Sequence, residues 1–275
     1  MKINEVFYSI QGEGRLLGEP SIFIRTLNCS MNCPYCDSKQ ASRCLEPPKY
    51  IADTKESVIA LGETIREQFK DILCNSIVIT GGEPLLKENW EPLRVLSAYL
   101  RNKYDYHIAF ETTMIPDMET FKNSTVMETY YDFCNYIEDF TEEEADEYLY
   151  FDETELFTVC PKLDPICYPK KVSVQEILDY YTPKDEMMLF DSCMDYKFVY
   201  YKDVRETILT FIDSFESEES LRELLFIMPF TPIGDNYNEV EWNKSCIDTI
   251  EFCKEYGLRY TPRTHIDLWG LKRGV

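Results

Sequence analysis

The sequence predicts an α/β fold: a partial barrel of about six parallel strands with helices outside, plus an acidic insertion. Three observations carry this. Six short, β-rich apolar runs are spread along 275 residues. Amphipathic segments of helical period alternate with them. Right-handed crossovers between parallel strands curl such a sheet into a barrel or part of one. The length suits one large unit, and the chain is read as a single domain over 1–275.

SIFIRTL (21–27) is the first strand of this series. KESVIALGETIREQF (55–69) sets Val58, Ile59, Leu61, Ile65 and Phe69 at roughly helical spacing, with Thr54 placed as N-cap. SIVIT (76–80) is a buried strand. NWEPLRVLSAYLRNKY (89–104) is a helix, in which Pro92 is tolerable only within the first turn. YHIAFET (106–112) is the third strand, and FTVCPKL (157–163), DYKFVYY (195–201) and LLFIMPF (224–230) follow. Helices are expected over 173–181, 203–215 and 238–256. The segment 117–156 breaks the rhythm: it includes IEDFTEEEADEYLYFDETEL, and Lys122 is its one basic residue. It reads as a solvated insertion between the third and fourth strands, with a docking surface for a basic partner as the sharper alternative.

The formal charge of −22 argues against a polynucleotide partner, because phosphate binding needs clustered Lys and Arg. The opening MKINEVFYSIQGEG has no apolar h-region, and no run of about 18 apolar residues occurs. A cytoplasmic location without a membrane partner is expected. Eleven cysteines, an odd number, then point to reduced thiols and not to a disulfide framework. Most read as small buried hydrophobes.

Three of them differ. Cys29, Cys33 and Cys36 form a Cys-x3-Cys-x2-Cys loop just after the first strand of the series, followed by Asp37 and Ser38. A structural zinc site needs four ligands. Cys44 is a possible fourth, but the only histidines, His107 and His265, are not spaced to help. An iron–sulfur cube held by three thiolates instead leaves one iron open to a ligand. The second strand of the series ends in Gly81-Gly82-Glu83-Pro84. Glycines permit close backbone approach, here read as approach to a ligand, and Glu83 offers an acceptor for a ligand ammonium.

The cysteine loop and the GGEP sequence resemble the radical SAM superfamily. VFYSIQGEGRLLGEPSIFIRTLNCSMNCPYCDS (6–38) and RYTPRTHIDLWGLKRGV (259–275) together resemble the 7-carboxy-7-deazaguanine synthases within it. ITGGEPLL, ETT, CPKL and KFV extend the resemblance, which fails over 39–53 and about 117–156. It implies an incomplete TIM-type barrel, a [4Fe-4S] cluster on Cys29, Cys33 and Cys36, S-adenosylmethionine (SAM) and Mg²⁺. The implied activity is ring contraction of 6-carboxy-5,6,7,8-tetrahydropterin to 7-carboxy-7-deazaguanine with loss of ammonia. A 5′-deoxyadenosyl radical starts that reaction, a protein reductant supplies one electron, and the enzyme is a homodimer. Carried onto this chain, SAM falls to Gly81, Gly82, Glu83, Pro84, Glu111, Thr112 and Lys162. The pterin falls to Gln11, Gly12, Glu13, Gly14, Arg25, His265 and the Val275 carboxylate, and Mg²⁺ to Ser38. Arg25 also suits a pterin carboxylate on chemical grounds, as a bidentate cation.

Three positions depart from the family pattern. Met114 stands where a glycine usually follows Glu-Thr-Asn/Ser, Cys160 where a serine precedes Pro-Lys, and Met228 where a Gln precedes Pro229. Two other readings stay open: a different radical SAM enzyme, such as a glycyl-radical activase, and a non-catalytic relative that binds through its acidic segment.

Overall fold

The computed structural model describes residues 1–136, 155–182, 193–214, 222–231 and 238–274. A nine-stranded sheet organises it, in the order β3-β1-β2-β4-β5-β6-β7-β8-β9. The strands are β1 (Lys2–Ile10), β2 (Pro20–Thr26), β3 (Tyr50–Ile51), β4 (Ser76–Gly81), β5 (His107–Thr112), β6 (Leu156–Val159), β7 (Met194–Tyr200), β8 (Leu225–Pro229) and β9 (Arg259–Tyr260). From β2 to β9 every pairing is parallel; β1 is antiparallel to both β2 and β3.

All six expected strands are present, within a residue or two of their expected starts; FTVCPKL and its neighbours pair over fewer residues than the apolar runs suggest. The parallel set has a seventh member, β9. Two residues are too few to give an apolar run, so periodicity could not reveal it. The same holds for β3.

Alternation explains the burial. Ile22, Ile24, Ile77, Ile79 and Phe110 enter the large core, while Phe23, Val78 and Ala109 form a second cluster with Phe7 on the other face. Helices cover the first face. Helix α1 (Lys39–Ser42) is one turn. Helix α2 (Lys55–Gln68) starts at Thr54, whose side chain and that of Ser57 form a reciprocal cap. Helix α3 (Trp90–Tyr104) carries Pro92 in its first turn, where no intrahelical N–H is missed. Then come α4 (Met118–Asn123), α5 (Val126–Cys134), α6 (Val174–Tyr181), α7 (Arg205–Asp213), α8 (Glu239–Tyr256) and α9 (Thr264–Trp269).

Helices α4 and α5 correct one expectation. The stretch 117–136 is not a solvated insertion. Asp117 and Thr125 cap the two helices, and Phe121, Val126, Met127, Tyr130 and Phe133 are buried. Phe133 meets the rings of Trp90, Phe110 and Phe157. The apolar residues of α5 recur at helical spacing and bury one face; the acidic residues lie between them and masked the signal. Residues 137–154, which hold most of the acidic run, lie outside the described residues.

The sheet also curves. Gly14 N donates to Thr261 Oγ1 at 2.7 Å, and Thr264 N donates to Gly12 O at 3.1 Å. The turn after β1 thus meets the chain just beyond β9. Among the described residues, no helix is long and apolar enough to cross a membrane.

Candidate active site

A cavity of about 240 Å³ lies where the parallel strands end. The chain leaving β2 supplies Cys29, Cys33, Cys36, Asp37 and Ser38 to its wall. Gly81 and Gly82 enter from β4, Glu111 and Thr112 from β5, and Lys162 from the segment after β6. Gln11, Gly12, Glu13, Arg25 and His265 face it as well. Gly14, Glu83 and Pro84 do not. Val275 lies outside the described residues, although the tail before it, Leu271 to Gly274, forms part of the wall.

The cysteine loop is anchored at its start and in its middle. Asn28, at φ 75°, turns the chain out of β2; its N–H donates to Ala41 O at 3.0 Å, and its side chain accepts from Cys29 N at 3.0 Å. Asn32 N donates to Cys167 O at 2.7 Å. Burial pushes the Cys29 and Cys36 thiols up, and a hydrogen bond with Cys167, then burial, does so for Cys33. A cluster would have to displace these protons. Among the described residues no three thiol, carboxylate or imidazole groups already stand at metal-ligand spacing. The donor set nonetheless fits an iron–sulfur cube: three soft ligands from one loop share a cavity wall, and side-chain rotation is what would gather them.

The GGEP turn has a different role from the one read in sequence. A Cβ on Gly82 would stand 1.7 Å from Asn28 O, and one on Gly81 would stand 2.4 Å from Thr26 N and O. It is the start of the cysteine loop, not only a ligand, that these glycines admit. Gly82 N and Glu83 N donate to Thr26 O and Asn28 O at 3.1 and 2.8 Å, locking turn to loop. Glu83 is fully buried. Its carboxylate accepts from Leu85 N at 2.9 Å, Thr113 N at 2.7 Å, Thr113 Oγ1 at 2.5 Å and Thr112 Oγ1. It therefore ties β4 to the end of β5 and offers no exposed acceptor to a ligand ammonium. Pro84 is buried beside it and its carbonyl accepts from Asn89 Nδ2 at 3.0 Å.

A buried ionic lattice floors the cavity. Lys197 Nζ lies 2.7 Å from Glu13 Oε2 and 2.6 Å from Glu111 Oε1. Arg263 Nε donates to Glu13 Oε1 at 2.8 Å, and its Nη2 pairs with Asp37. Gln11 Nε2 donates to Glu111 at 3.2 Å, and Thr80 Oγ1 does so at 3.2 Å. Burial would raise the Glu13 carboxyl, but Lys197 and Arg263 hold it well below the usual carboxylate range. Burial likewise opposes the Lys197 ammonium, and Glu111 and Glu13 overcome it. Nothing in the sequence motifs marks Lys197 or Arg263 as site residues. The available signal is Lys197 itself, a cation inside the aromatic strand DYKFVYY, which is costly to bury unless paired.

Asp37 sits at the mouth. Desolvation raises its carboxyl, yet Arg263, with His265 and Arg25, brings it from 3.8 to about 2. A depressed carboxylate stabilises the fold above its unfolded pKa and loses that contribution as pH falls through the folded value. Asp37→Asn is therefore expected to be less stable than the unsubstituted chain above pH 4, and the two should converge as pH nears 2. Urea midpoints measured across that range check this; a constant gap would remove the pair from the acid response.

Arg25 is half-buried. Its Nε donates to Glu5 at 2.9 Å, its Nη1 donates to Ser38 Oγ at 3.0 Å, and it lies 5.6 Å over the Phe7 ring. Ser38 Oγ donates to Asp37 at 3.1 Å. Arg273, in the tail, pairs with Glu46 at 2.7 Å and approaches Glu5 at 3.8 Å, so Glu5 joins Arg25 to the tail. His265 Nε2 lies 3.8 Å from Glu13, and burial lowers its pKa, which keeps the ring neutral at pH 7. Cys160 and Met228 are buried in the same wall. Met114 holds a glycine-like φ of 59° with its side chain fully buried.

Residues 23–129 match the radical SAM superfamily model. Curated relatives named 7-carboxy-7-deazaguanine synthase include those of Rhodospirillum rubrum, 38% identical over 35% of this chain and 37% of the relative, and Halobacterium salinarum, 37% identical over 41% and 38%. The Clostridium acetobutylicum relative is 31% identical over 49% and 51%. The matches thus span between about a third and a half of these relatives' lengths. In fold, the chain is similar to the crystal structure of QueE from Escherichia coli: TM-score 0.50, 18% identity, covering 95% of this chain and 92% of that one.

Proposed function

We propose that this chain is a radical SAM 7-carboxy-7-deazaguanine synthase, converting 6-carboxy-5,6,7,8-tetrahydropterin to 7-carboxy-7-deazaguanine with release of ammonia. The observation that carries the proposal is one cavity shared by the three-cysteine loop, Arg25 and the Gln11–Glu13 turn. The curated relatives' names support it. The meeting of the Gln11–Gly14 turn with Thr261 and Thr264 supports a partial TIM-type barrel for the fold.

Cys29, Cys33 and Cys36 would hold a [4Fe-4S] cluster, and the wall at Gly81, Gly82 and Thr112 would hold SAM. Together these groups supply a 5′-deoxyadenosyl radical when reduced by a one-electron donor protein. The chain's own residues bind and orient the pterin. Arg25 exchanges Glu5 for the substrate carboxylate. Glu13 is anionic, and Lys197 and Arg263 use only part of its acceptor capacity, so it can take N–H groups of the guanidine-like edge. His265, neutral, is able to accept a proton or a hydrogen bond. Lys162 lies among Cys29, Cys33, Cys160 and Cys167 and places a positive charge beside the cluster site. Asp37 and Ser38 are hard oxygen donors at the mouth, the class Mg²⁺ takes together with substrate oxygens; Arg263 and Arg25 hold them in the meantime. The acidic surface disfavours nucleic acid, and the family resemblance supports a homodimer in the cytoplasm.

The test is an anaerobic reaction of reconstituted protein with SAM, Mg²⁺, a reductant and the pterin, read by mass spectrometry. Formation of 7-carboxy-7-deazaguanine is expected. Cleavage of SAM without that product would keep the radical chemistry and discard the substrate. Arg25→Ala is expected to lower pterin turnover about 10- to 100-fold, the value of about 1.5–3 kcal/mol for hydrogen bonds to a charged group, while uncoupled SAM cleavage changes little. Equal losses in both rates would remove Arg25 from the substrate site.

A further inference from the structure

The first strand and the C-terminal tail meet beside Arg25, and one carboxylate stands between them. Glu5 lies opposite Arg25 in the antiparallel β1–β2 pair. Its Oε1 accepts from Arg25 Nε at 2.9 Å. Its Oε2 lies 3.8 Å from Arg273 Nη2. Helix α9 stops at Gly270, whose φ of 61° turns the chain, and Leu271 to Gly274 then pass along the cavity wall. A Cβ on Gly274 would stand 3.9 Å from the same Glu5 oxygen, so the tail runs past this carboxylate. Arg273 latches the tail there. Its Nη1 donates to Glu46 Oε1 at 2.7 Å, and its Nη2 donates to Glu46 Oε2 at 3.1 Å and to Asn4 Oδ1 at 3.2 Å. Arg273 and Glu46 are open to solvent, whereas the side chains of Arg25 and Glu5 are largely covered, at 19% and 17% exposure.

We propose that Glu5 is a resident stand-in for the ligand carboxylate at Arg25, and that Arg273 receives it when the ligand arrives, so that binding draws the tail onto the cavity. The proposal rests on the reading of Arg25 as the anchor of a carboxylated pterin. Glu5 engages Nε of Arg25 and Ser38 engages Nη1, so each parallel N–H pair of the guanidinium already has one donor in use. A bidentate ligand carboxylate has to displace a resident, and it repels Glu5, which carries the same charge. A largely covered carboxylate left without a partner would oppose the ligand's gain. Arg273 removes that penalty, because a shift of about 1 Å brings Glu5 Oε2 from 3.8 Å to hydrogen-bond distance. The tail that carries Arg273 is then tied more tightly to β1, against the occupied cavity. Glu5 and Arg273 are positioning residues; neither needs to touch the reacting ring.

The experiment is a double-mutant cycle on the full chain, reconstituted anaerobically with SAM and Mg²⁺. Binding of 6-carboxypterin, the aromatic analogue of the pterin acid, is compared with that of pterin lacking the carboxylate. The unsubstituted protein is expected to bind the carboxylated ring tighter, and Arg25→Ala to erase that preference. Arg273→Ala is expected to weaken 6-carboxypterin about two- to fivefold, the scale of a partly exposed ion pair, and to leave plain pterin unchanged. Arg273→Lys keeps the charge and is expected to recover most of the loss. Glu5→Gln is expected to bind 6-carboxypterin tighter than the unsubstituted protein does, because the resident anion is gone. In that background Arg273→Ala is expected to have no effect. Hydrogen exchange over 271–274 is expected to slow on 6-carboxypterin binding in the unsubstituted protein and not in Glu5→Gln. An Arg273→Ala loss of the same size with and without Glu5→Gln would give the tail a purely structural role and overturn the proposal. So would weaker 6-carboxypterin binding in Glu5→Gln. A carboxylate preference absent from the unsubstituted protein, or retained in Arg25→Ala, would instead discard Arg25 as the anchor, and the proposal with it.

Discussion

Cys33→Ala is expected to lose its iron and to fall to background in SAM cleavage, while its unfolding midpoint stays close to that of the unsubstituted chain. The thiol is buried and lies against Cys167, so its removal costs stability on the order of 1 kcal/mol, as small core truncations do. The sheet does not depend on it. Ile24, Ile79, Phe110 and Phe157 make up its core with many other apolar residues; Cys33 adds one small side chain to that core from a loop that the Asn28 and Asn32 N–H groups tie to Ala41 O and Cys167 O. Iron content and thermal unfolding on the same preparation check this. Retained SAM cleavage in Cys33→Ala would overturn the assignment of the three-cysteine loop.

The opposite pattern is expected at Glu83. Glu83→Ala should unfold at markedly lower urea concentration, with a loss on the order of 4 kcal/mol. The carboxylate takes hydrogen bonds from two hydroxyls and two backbone N–H groups, all buried. Removing it strands those donors, at about 1–3 kcal/mol for each group left unsatisfied, less than additively because they are neighbours. Burial raises the Glu83 carboxyl and the four donors oppose that shift. Glu83→Gln keeps one acceptor oxygen and should recover part of the loss. A Glu83→Ala protein of unchanged stability but weakened SAM binding would restore Glu83 to the ligand site.

These two residues show what one-dimensional reading can and cannot resolve. Both stand in motifs that point to the same cofactor, and nothing in their spacing separates a ligand from a brace. Only the path of the cysteine loop across Gly81 and Gly82 shows that the GGEP turn is packed against protein. The departure at Met114 resolves in the same way. The glycine-like φ remains, and a fully buried methionine side chain occupies the site beside it.

By itself the sequence determined the alternation of strands and helices, because buried strands and amphipathic helices have periods that survive in one dimension. It determined the caps at Thr54 and the tolerated Pro92, which are local. It also determined which loop carries the soft ligands, since three cysteines in eight positions need no fold to be near one another. Tertiary structure alone decided the rest. The acidic stretch 117–136 became core through side chains that meet Trp90 and Phe157 from elsewhere in the chain. Lys197 and Arg263 joined Glu13 across about 180 and 250 positions, and Cys167 came to Cys33 across 134. Such pairs carry no periodic signal: a buried charge or thiol acquires its meaning from the partner that desolvation forces upon it, and that partner is chosen only when the sheet curves and closes the distance.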